Sequence, residues 1–285
     1  MKTCLNAFST HLPLTVLIFG SVFLMAGMAD AVAFDRTHAV YDDVLKRFVA
    51  EGRVDYKGLK DDVAALDRYL DRLAGVSEAT YTAWPESERL AFLINLYNAA
   101  TLKLILDHYP LKSIKDIGGF FKGPWDQPVV RLFGKIITLN NLEHDIIRKH
   151  YGEPRIHLAL VCAAKGCPPL RSEAYVAGHL DAQLDDQSRR FLASPAGLRI
   201  DRGGKAVYVS SIFKWFGKDF IDRFSPAAGY SGLDKTERAV AHFCGGYLSA
   251  ADGDYLKSGG YSVKYLDYDW SLNEKSYLPE TKRFD

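Results

Sequence analysis

The sequence lacks the glycine-rich motifs that cradle phosphates. It has no Walker loop and no G-x-G-x-x-G fingerprint, so the nucleotide-binding classes that those motifs identify are not indicated. It also has no internal repeat. Excess charge of either sign is missing, because 36 Lys and Arg stand against 35 Asp and Glu, for a formal net charge of +1. Since attraction to nucleic acid or to an anionic membrane depends on excess positive charge, we predict no nucleic-acid partner.

Long apolar runs are few, and the most prominent one lies at the start of the chain. Residues 12–29 carry no charge, follow a weakly basic beginning and are succeeded by small residues in A-x-A spacing. This order is typical of a secretory signal peptide. We expect residues 1–33 to be removed and residues 34–285 to be exported to the periplasm or secreted, with no membrane contact after cleavage. The alternative is an uncleaved N-terminal anchor, because the run is near the lower length limit for spanning a bilayer.

The pattern of apolar residues in the rest of the chain predicts a helix-rich protein. Residues 86–108 are apolar nearly all round, which indicates a buried helix. Helical spacing predicts further helices at about residues 38–48, 59–73, 140–150, 176–192, 212–216 and 236–248. Extended segments are predicted as two hairpins, at residues 129–139 and 198–209, a short buried strand at 156–161 and a late strand at 261–268. Without a βαβ rhythm or a linker, this predicts an α+β single domain with a small, mostly antiparallel sheet.

Four long motifs occur in a fixed order along the chain. They are LAFLINLYNAATL, ITLNNLEHDIIR, RIHLALVCAAKGCPPLR and VYVSSIFKWFGKDF, at residues 90–102, 137–148, 155–171 and 207–220, with flanks at 52–56 and 268–273. Together they resemble the family called domain of unknown function 547 (DUF547). The resemblance implies a family found in bacteria, plants and animals, and it carries no established reaction. It also implies that the position of Cys162 is more constant than that of Cys167.

The third motif contains a candidate nucleophile, Cys162. A reactive thiol needs a base or a positive field to lower its pKa. The nearest histidine, His157, would lie roughly 16 Å away on the opposite face if this segment is extended. We therefore predict that the base is His144, on the preceding helix.

Three polar residues are candidates for supporting that pair. Glu143 takes the capping-box place after Asn140 and points about 100° away from His144 around the helix. Asn95 and Asn98 share one face of the buried helix, and buried amides need partners. Either they bond to neighbouring backbone, or they orient a catalytic group or donate to an oxyanion.

A disulfide between Cys162 and Cys167 is the main alternative to a reactive thiol. Export favours oxidation, and a short loop containing Gly166 makes closure feasible, worth about 2 kcal/mol in the loop-entropy account. The C-x4-C spacing is a weak signal for a redox-active pair. The third mature cysteine, Cys244, would then stay as a buried inert thiol.

A metal site is a third alternative. It would gather His157, Cys162 and Cys167 with His144 or His242, although H-x4-C-x4-C spacing matches structural zinc poorly. We therefore predict no metal and no cofactor.

The two arginines that bracket the third motif, Arg155 and Arg171, would either form internal salt bridges or hold a carboxylate of a ligand in a bidentate pair. The leading hypothesis is an exported thiol-dependent hydrolase or acyl-transferase. Its nucleophile is Cys162 and its base is His144, and the pocket is built with His157 and Arg171. The competing hypothesis is a non-catalytic binding or scaffold module stapled by the disulfide. Substrate and partners are not indicated.

Overall fold

The computed structural model describes residues 33–119 and 122–276. From Phe34 onward, the described residues form one compact unit. The predicted signal peptide lies outside the described residues, apart from Ala33.

The helix-rich α+β class is confirmed. The α-helices are Ala39–Phe48, Tyr56–Asp61, Ala64–Ala74, Glu78–Thr82, Glu86–His108, Arg148–His150, Leu180–Leu192, Ser211–Phe216, Ile221–Phe224, Lys235–Gly245 and Ala250–Ser258. Single turns of 3₁₀-helix occur at Ile114–Asp116, Pro124–Asp126, Pro154–Leu158, Ala177–His179 and Gly217–Phe220. Asn141–Ile147 is a π-helix, whose backbone hydrogen bonds span one residue more than those of the α-helix expected from the sequence.

The strands form three small sheets in the described residues. Two are antiparallel hairpins, Val49–Ala50 with Arg53–Val54 and Pro128–Leu132 with Lys135–Thr138. The third has three strands in the order Leu198–Asp201, Ala206–Val209, Ser262–Tyr265. Its first pair is antiparallel and its second is parallel, so the sheets are small and mostly antiparallel, as predicted.

The helix Glu86–His108, called the core helix below, is the centre of the larger apolar cluster. It is long and apolar enough to span a membrane, but 89% of its most apolar window is buried inside the protein. Pro85 precedes it and Pro110 follows it closely, as expected for its two ends. A second apolar cluster lies around Phe213, Phe220 and Phe243. The candidate cleft described below has walls from both regions.

The predicted strand at residues 156–161 is wrong. Pro154–Leu158 is a 3₁₀-helix, and the amide of Leu160 donates to the carbonyl oxygen of Ile156 at 2.9 Å. Side chains from distant helices, such as the Asn98 amide, form hydrogen bonds with the backbone groups that would otherwise pair with a neighbouring strand. The segment is therefore compact, and the extended spacing that separated His157 from Cys162 does not exist.

Candidate functional site

A narrow cleft, called the aromatic cleft below, gathers five of the nine predicted site residues. They are Glu143, His144, His157, Cys162 and Cys167. Aromatic side chains supply most of the remaining wall: Tyr97, Trp125, Trp215, Phe216, Tyr268 and Trp270. The cavity has a volume of about 160 Å³. Sulfur, imidazole and carboxylate groups therefore face one small, mostly apolar space.

Cys162 and Cys167 form a disulfide in the wall of this cleft. Cys162 is half-buried, whereas Cys167 is buried. The loop between them is held by residues 268–273, because the amide of Gly166 donates to the carbonyl oxygen of Asp269 at 2.8 Å. A Cβ on Gly166 would lie 2.8 Å from the Asp269 nitrogen, so this close approach requires glycine.

The hydroxyl of Tyr268 lies 3.1 Å from the sulfur of Cys162. Burial, reinforced by the charge of Glu143, raises the pKa of Tyr268 well above its usual value. The phenol therefore keeps its proton and acts as a hydrogen-bond donor to the sulfur. A donor in this position would stabilise a Cys162 thiolate once the disulfide is reduced.

His157 is held between two carboxylates at the base of the cleft. Its Nε2 lies 2.8 Å from Oδ2 of Asp219, and its ring stacks on Phe216 at 4.1 Å. A carboxylate only accepts, so Nε2 carries the proton and the lone pair of the neutral ring is on Nδ1. Nδ1 is buried without a hydrogen-bond partner, 3.9 Å from Oε1 of Glu143. In its neutral form, His157 is therefore a fixed imidazole whose Nδ1 is a free acceptor.

Arg148 fixes the other side of Asp219. Its Nε and Nη2 donate to the two carboxylate oxygens at 2.7 and 2.9 Å. Burial opposes the charge of Asp219, but the hydrogen bonds from His157 and Arg148 outweigh it and hold the pKa of the carboxyl well below its usual range. Asp219 is therefore ionised at neutral pH and orients His157.

His144, the base predicted from the sequence, lies at the exposed rim of the cleft. Arg148 Nη1 lies 3.2 Å from its Nδ1. Because an arginine can only donate, Nδ1 accepts and the proton of the neutral ring is on Nε2. In this arrangement, the Nε2 of His144 is a hydrogen-bond donor, and its lone pair on Nδ1 is already engaged by Arg148.

Glu143 does not act as part of a capping box. The side chain of Asn140 makes no cap hydrogen bond, and its amide donates instead to Asp126 at 2.6 Å. The π-helix turns Glu143 inward, where it accepts from the Tyr97 hydroxyl at 3.1 Å. Its Oε1 also lies 4.0 Å from Nδ1 of His144.

The two asparagines of the core helix are outside the cleft lining and bind backbone groups. Asn98 accepts from the Val161 amide at 2.9 Å and donates to the Ala159 carbonyl oxygen at 3.0 Å. Asn95 brackets Tyr175 in the same way, at 3.0 and 2.7 Å. Asn98 thereby fixes the residue directly before Cys162.

The two arginines of the third motif form internal ion pairs. Arg155 binds Glu153, Asp181 and Asp185, each at 2.6 Å. Arg171 binds Glu173 and Asp186. Both are outside the cleft lining, and their donors are already engaged by the protein's own carboxylates.

The sequence reasoning missed Asp219, Arg148 and Tyr268. All three lie within segments already quoted for the family resemblance: Arg148 ends the second motif, Asp219 lies near the end of the fourth, and Tyr268 opens the last flank. Polar or aromatic residues at the ends of such motifs were the available signal.

Within the described ranges, no group of three or more His, Cys, Asp or Glu side chains is arranged to hold a metal ion. Residues 81–192 match the family model described as protein of unknown function, DUF547. Over that part of the chain, the match supports the resemblance that the first three motifs carry. It includes both cysteines, His144 and His157, and it ends before Asp219 and Tyr268. Neither a curated protein nor a solved structure matches the chain.

Proposed function

We propose that this chain, whose residues 81–192 carry the DUF547 match, is an exported thiol-dependent hydrolase or acyl-transferase that becomes active when Cys162–Cys167 is reduced. One observation carries the proposal: the half-buried Cys162, its Tyr268 donor and the free nitrogen of the Asp219-bound His157 border the same cleft.

The disulfide is the resting form in this account. A thiol or dithiol reductant transfers two electrons, so that the disulfide becomes two cysteine thiols and the reductant is oxidised to its own disulfide. Cys162 is the nucleophile because it is the more exposed of the two and because Tyr268 donates to its sulfur.

The acyl-transfer step uses groups that the chain already holds. His157 Nδ1 takes the proton of the Cys162 thiol, and the sulfur attacks the carbonyl carbon of an ester or amide. The imidazolium returns the proton to the leaving alcohol or amine, which departs and leaves a thioester. Water or a second nucleophile then cleaves the thioester. Asp219 is the positioning residue that keeps His157 in the reactive tautomer.

A second candidate function rests on the disulfide itself. In this alternative the cleft binds a ligand but catalyses no reaction. The Cys162–Cys167 disulfide then only stabilises its own loop, which also forms hydrogen bonds with residues 268–273. The two functions differ in one respect that can be measured: only the first requires a reduced Cys162.

The test uses the purified protein, reduced with a phosphine and then freed of reductant, with p-nitrophenyl acetate as acyl donor. We expect a burst of nitrophenolate and an acetyl adduct that mass spectrometry maps to Cys162. Cys162→Ser should abolish the adduct and Cys167→Ser should keep it. An adduct that is absent from reduced protein, or that persists in Cys162→Ser, contradicts the proposal.

Histidine variants identify the base. His157→Asn should lower the acylation rate by about 10²-fold or more, in keeping with the usual contribution of general-base catalysis. His179→Asn is the matched control, because His179 is exposed and its side chain makes no cap hydrogen bond. If His144→Asn is the damaging change and His157→Asn is not, the base is His144, as the sequence predicts.

A further inference from the structure

The walls of the aromatic cleft include three tryptophans that contact or neighbour one another. Trp270 lies at its centre, with ring centroids 5.9 Å from Trp215, 5.8 Å from Trp125 and 4.5 Å from Tyr268. The Trp215 side chain is 46% exposed, an unusual position for so large an apolar residue. Aromatic faces around a cavity attract cations through the ring quadrupole.

Two cations lie against rings of the cleft, Lys115 on Trp270 and Arg148 on Phe216, but neither belongs to its lining. Its described lining contains the carboxylate of Glu143 and no lysine or arginine. Glu143 is buried, and among the described residues its neighbours within ion-pair distance are the two imidazoles, not a permanent cation. Buried carboxylates are normally paired with a cation, so this one lacks its usual partner.

A second, independent observation points to a ligand that donates hydrogen bonds. His157 has a side chain only 1% exposed, and its Nδ1 has no hydrogen-bond partner although it borders the cleft. The same nitrogen lies 3.9 Å from Oε1 of Glu143. One N–H-bearing group placed between them would satisfy both acceptors.

We propose that the aromatic cleft binds a primary amine in its ammonium form, with Glu143 and His157 Nδ1 as acceptors and the tryptophan rings around the alkyl stem. This inference rests on the proposed function. There, the amine departs from the acyl group with the proton that His157 returns, or it gives a proton to His157 Nδ1 and then attacks the thioester. Trp270 already binds one ammonium group of the protein, since Lys115 Nζ lies 4.0 Å from its ring centroid.

The size of the cleft limits the amine. A cavity of roughly 150 Å³ accommodates benzene, so the cleft of about 160 Å³ holds a short aminoalkyl group rather than a whole polymer unit. The rest of such a substrate would lie over the exposed Trp215. The substrate class is therefore a small amine, or a chain that ends in a short aminoalkyl group.

The test is a binding titration on the oxidised protein, which has no Cys162 thiol and so performs no acyl chemistry. Tryptophan fluorescence and calorimetry would compare n-butylammonium, 1-butanol and butyrate at fixed ionic strength. We expect n-butylammonium to bind about tenfold more tightly than 1-butanol, and butyrate to bind most weakly. Equal or tighter binding of 1-butanol or butyrate overturns the inference.

Two variants and a control sharpen the titration. Glu143→Gln should remove the preference for n-butylammonium over 1-butanol, whereas Glu78→Gln, at an exposed site outside the cleft, should retain it. Trp215→Leu should weaken n-butylammonium binding severalfold. Because Trp215 is exposed, this variant should fold, and it provides the test if Glu143→Gln does not fold. Unchanged n-butylammonium affinity in Trp215→Leu, or in a folded Glu143→Gln, contradicts the proposal.

The result separates this inference from the proposed function. Ammonium selectivity in oxidised protein without any Cys162 adduct in reduced protein removes the thiol chemistry and leaves the amine site. A Cys162 adduct in reduced protein without ammonium selectivity in oxidised protein supports the thiol chemistry and rejects the amine site.

Discussion

Nε2 of His157 lies 2.8 Å from Oδ2 of Asp219, and this pair determines which nitrogen of the imidazole is free. Arg148 holds the same carboxylate through both oxygens. The three residues come from segments up to 71 positions apart in sequence. The cleft is therefore a product of the tertiary fold, because it depends on a contact between residues of the third and fourth motifs.

The first prediction concerns the charge of Asp219. Asp219→Asn should lower the free energy of unfolding at pH 7 by about 1–3 kcal/mol, because it removes the charge-assisted acceptor of His157 and Arg148. The pKa of Asp219 is lowered by folding, so its contribution is fully present above the unfolded pKa of about 3.8 and is lost as pH falls through the folded value. Urea titrations should show the gap between wild type and variant closing below about pH 4.

The control for this change is Asp222→Asn, an exposed carboxylate three residues along the chain. It should change stability by less than about 0.5 kcal/mol, as usual for surface positions. A gap for Asp219→Asn that stays constant from pH 7 to pH 2 would show that the charge is not what stabilises the pair.

The second prediction concerns the pair of hydrogen bonds between Asn98 and the backbone just before Cys162. Asn98→Ala leaves the Val161 amide and the Ala159 carbonyl without their partner, at a cost of about 2–4 kcal/mol for two buried groups. Thr101→Val on the same helix should cost less, because the Thr101 hydroxyl only bonds back to Tyr97 within the helix. Chemical denaturation of both variants measures the difference, and equal costs would count against the importance of this pair of hydrogen bonds.

Part of this architecture is predictable from sequence, and the core helix shows why. Residues 86–108 are apolar nearly all round, a pattern that predicts a buried helix. That pattern predicts that Asn98 is buried. It does not predict which groups Asn98 binds, because they lie 61 and 63 positions away in sequence. Periodicity records the faces of an element and carries no information on such distant contacts.

The segment at residues 156–161 shows the opposite case. A short apolar run suits a buried strand as well as a buried turn, and only its partners decide. Here the Asn98 and Gln187 amides bind its carbonyl groups, so no strand is needed. The position of Glu143 was unpredictable for a related reason: a π-helix replaces the expected α-helix and turns its side chain into the cleft.

The third prediction concerns the close contact between the cysteine loop and residues 268–273. Gly166→Ala places a methyl group 2.8 Å from the backbone nitrogen of Asp269, so the backbone must separate there. We expect destabilisation of about 1–3 kcal/mol and faster reduction of the disulfide, measured by thiol release. Gly152→Ala is the control, because a methyl group there meets nothing within 4 Å.

The fourth prediction concerns Cys244, which among the described cysteines is free and fully buried. Burial raises the pKa of its thiol well above the usual value, so the reactive thiolate is scarce at pH 8. Iodoacetamide should leave Cys244 unmodified in native protein and label it after denaturation, as peptide mapping would show. Labelling within minutes under native conditions would mean that this helix opens readily.

The central claim is that reduction releases an activated thiol at Cys162, and its reaction rate with iodoacetamide across pH tests this most directly. Reduced protein should be titrated from pH 5 to pH 9, with Cys162 followed by peptide mapping beside a cysteine-containing model peptide. The account predicts rapid modification of Cys162 below pH 7. Tyr268→Phe and His157→Asn should each lower this modification rate. A Cys162 that reacts no faster than the model peptide at every pH, or that cannot be reduced without unfolding the protein, would contradict it.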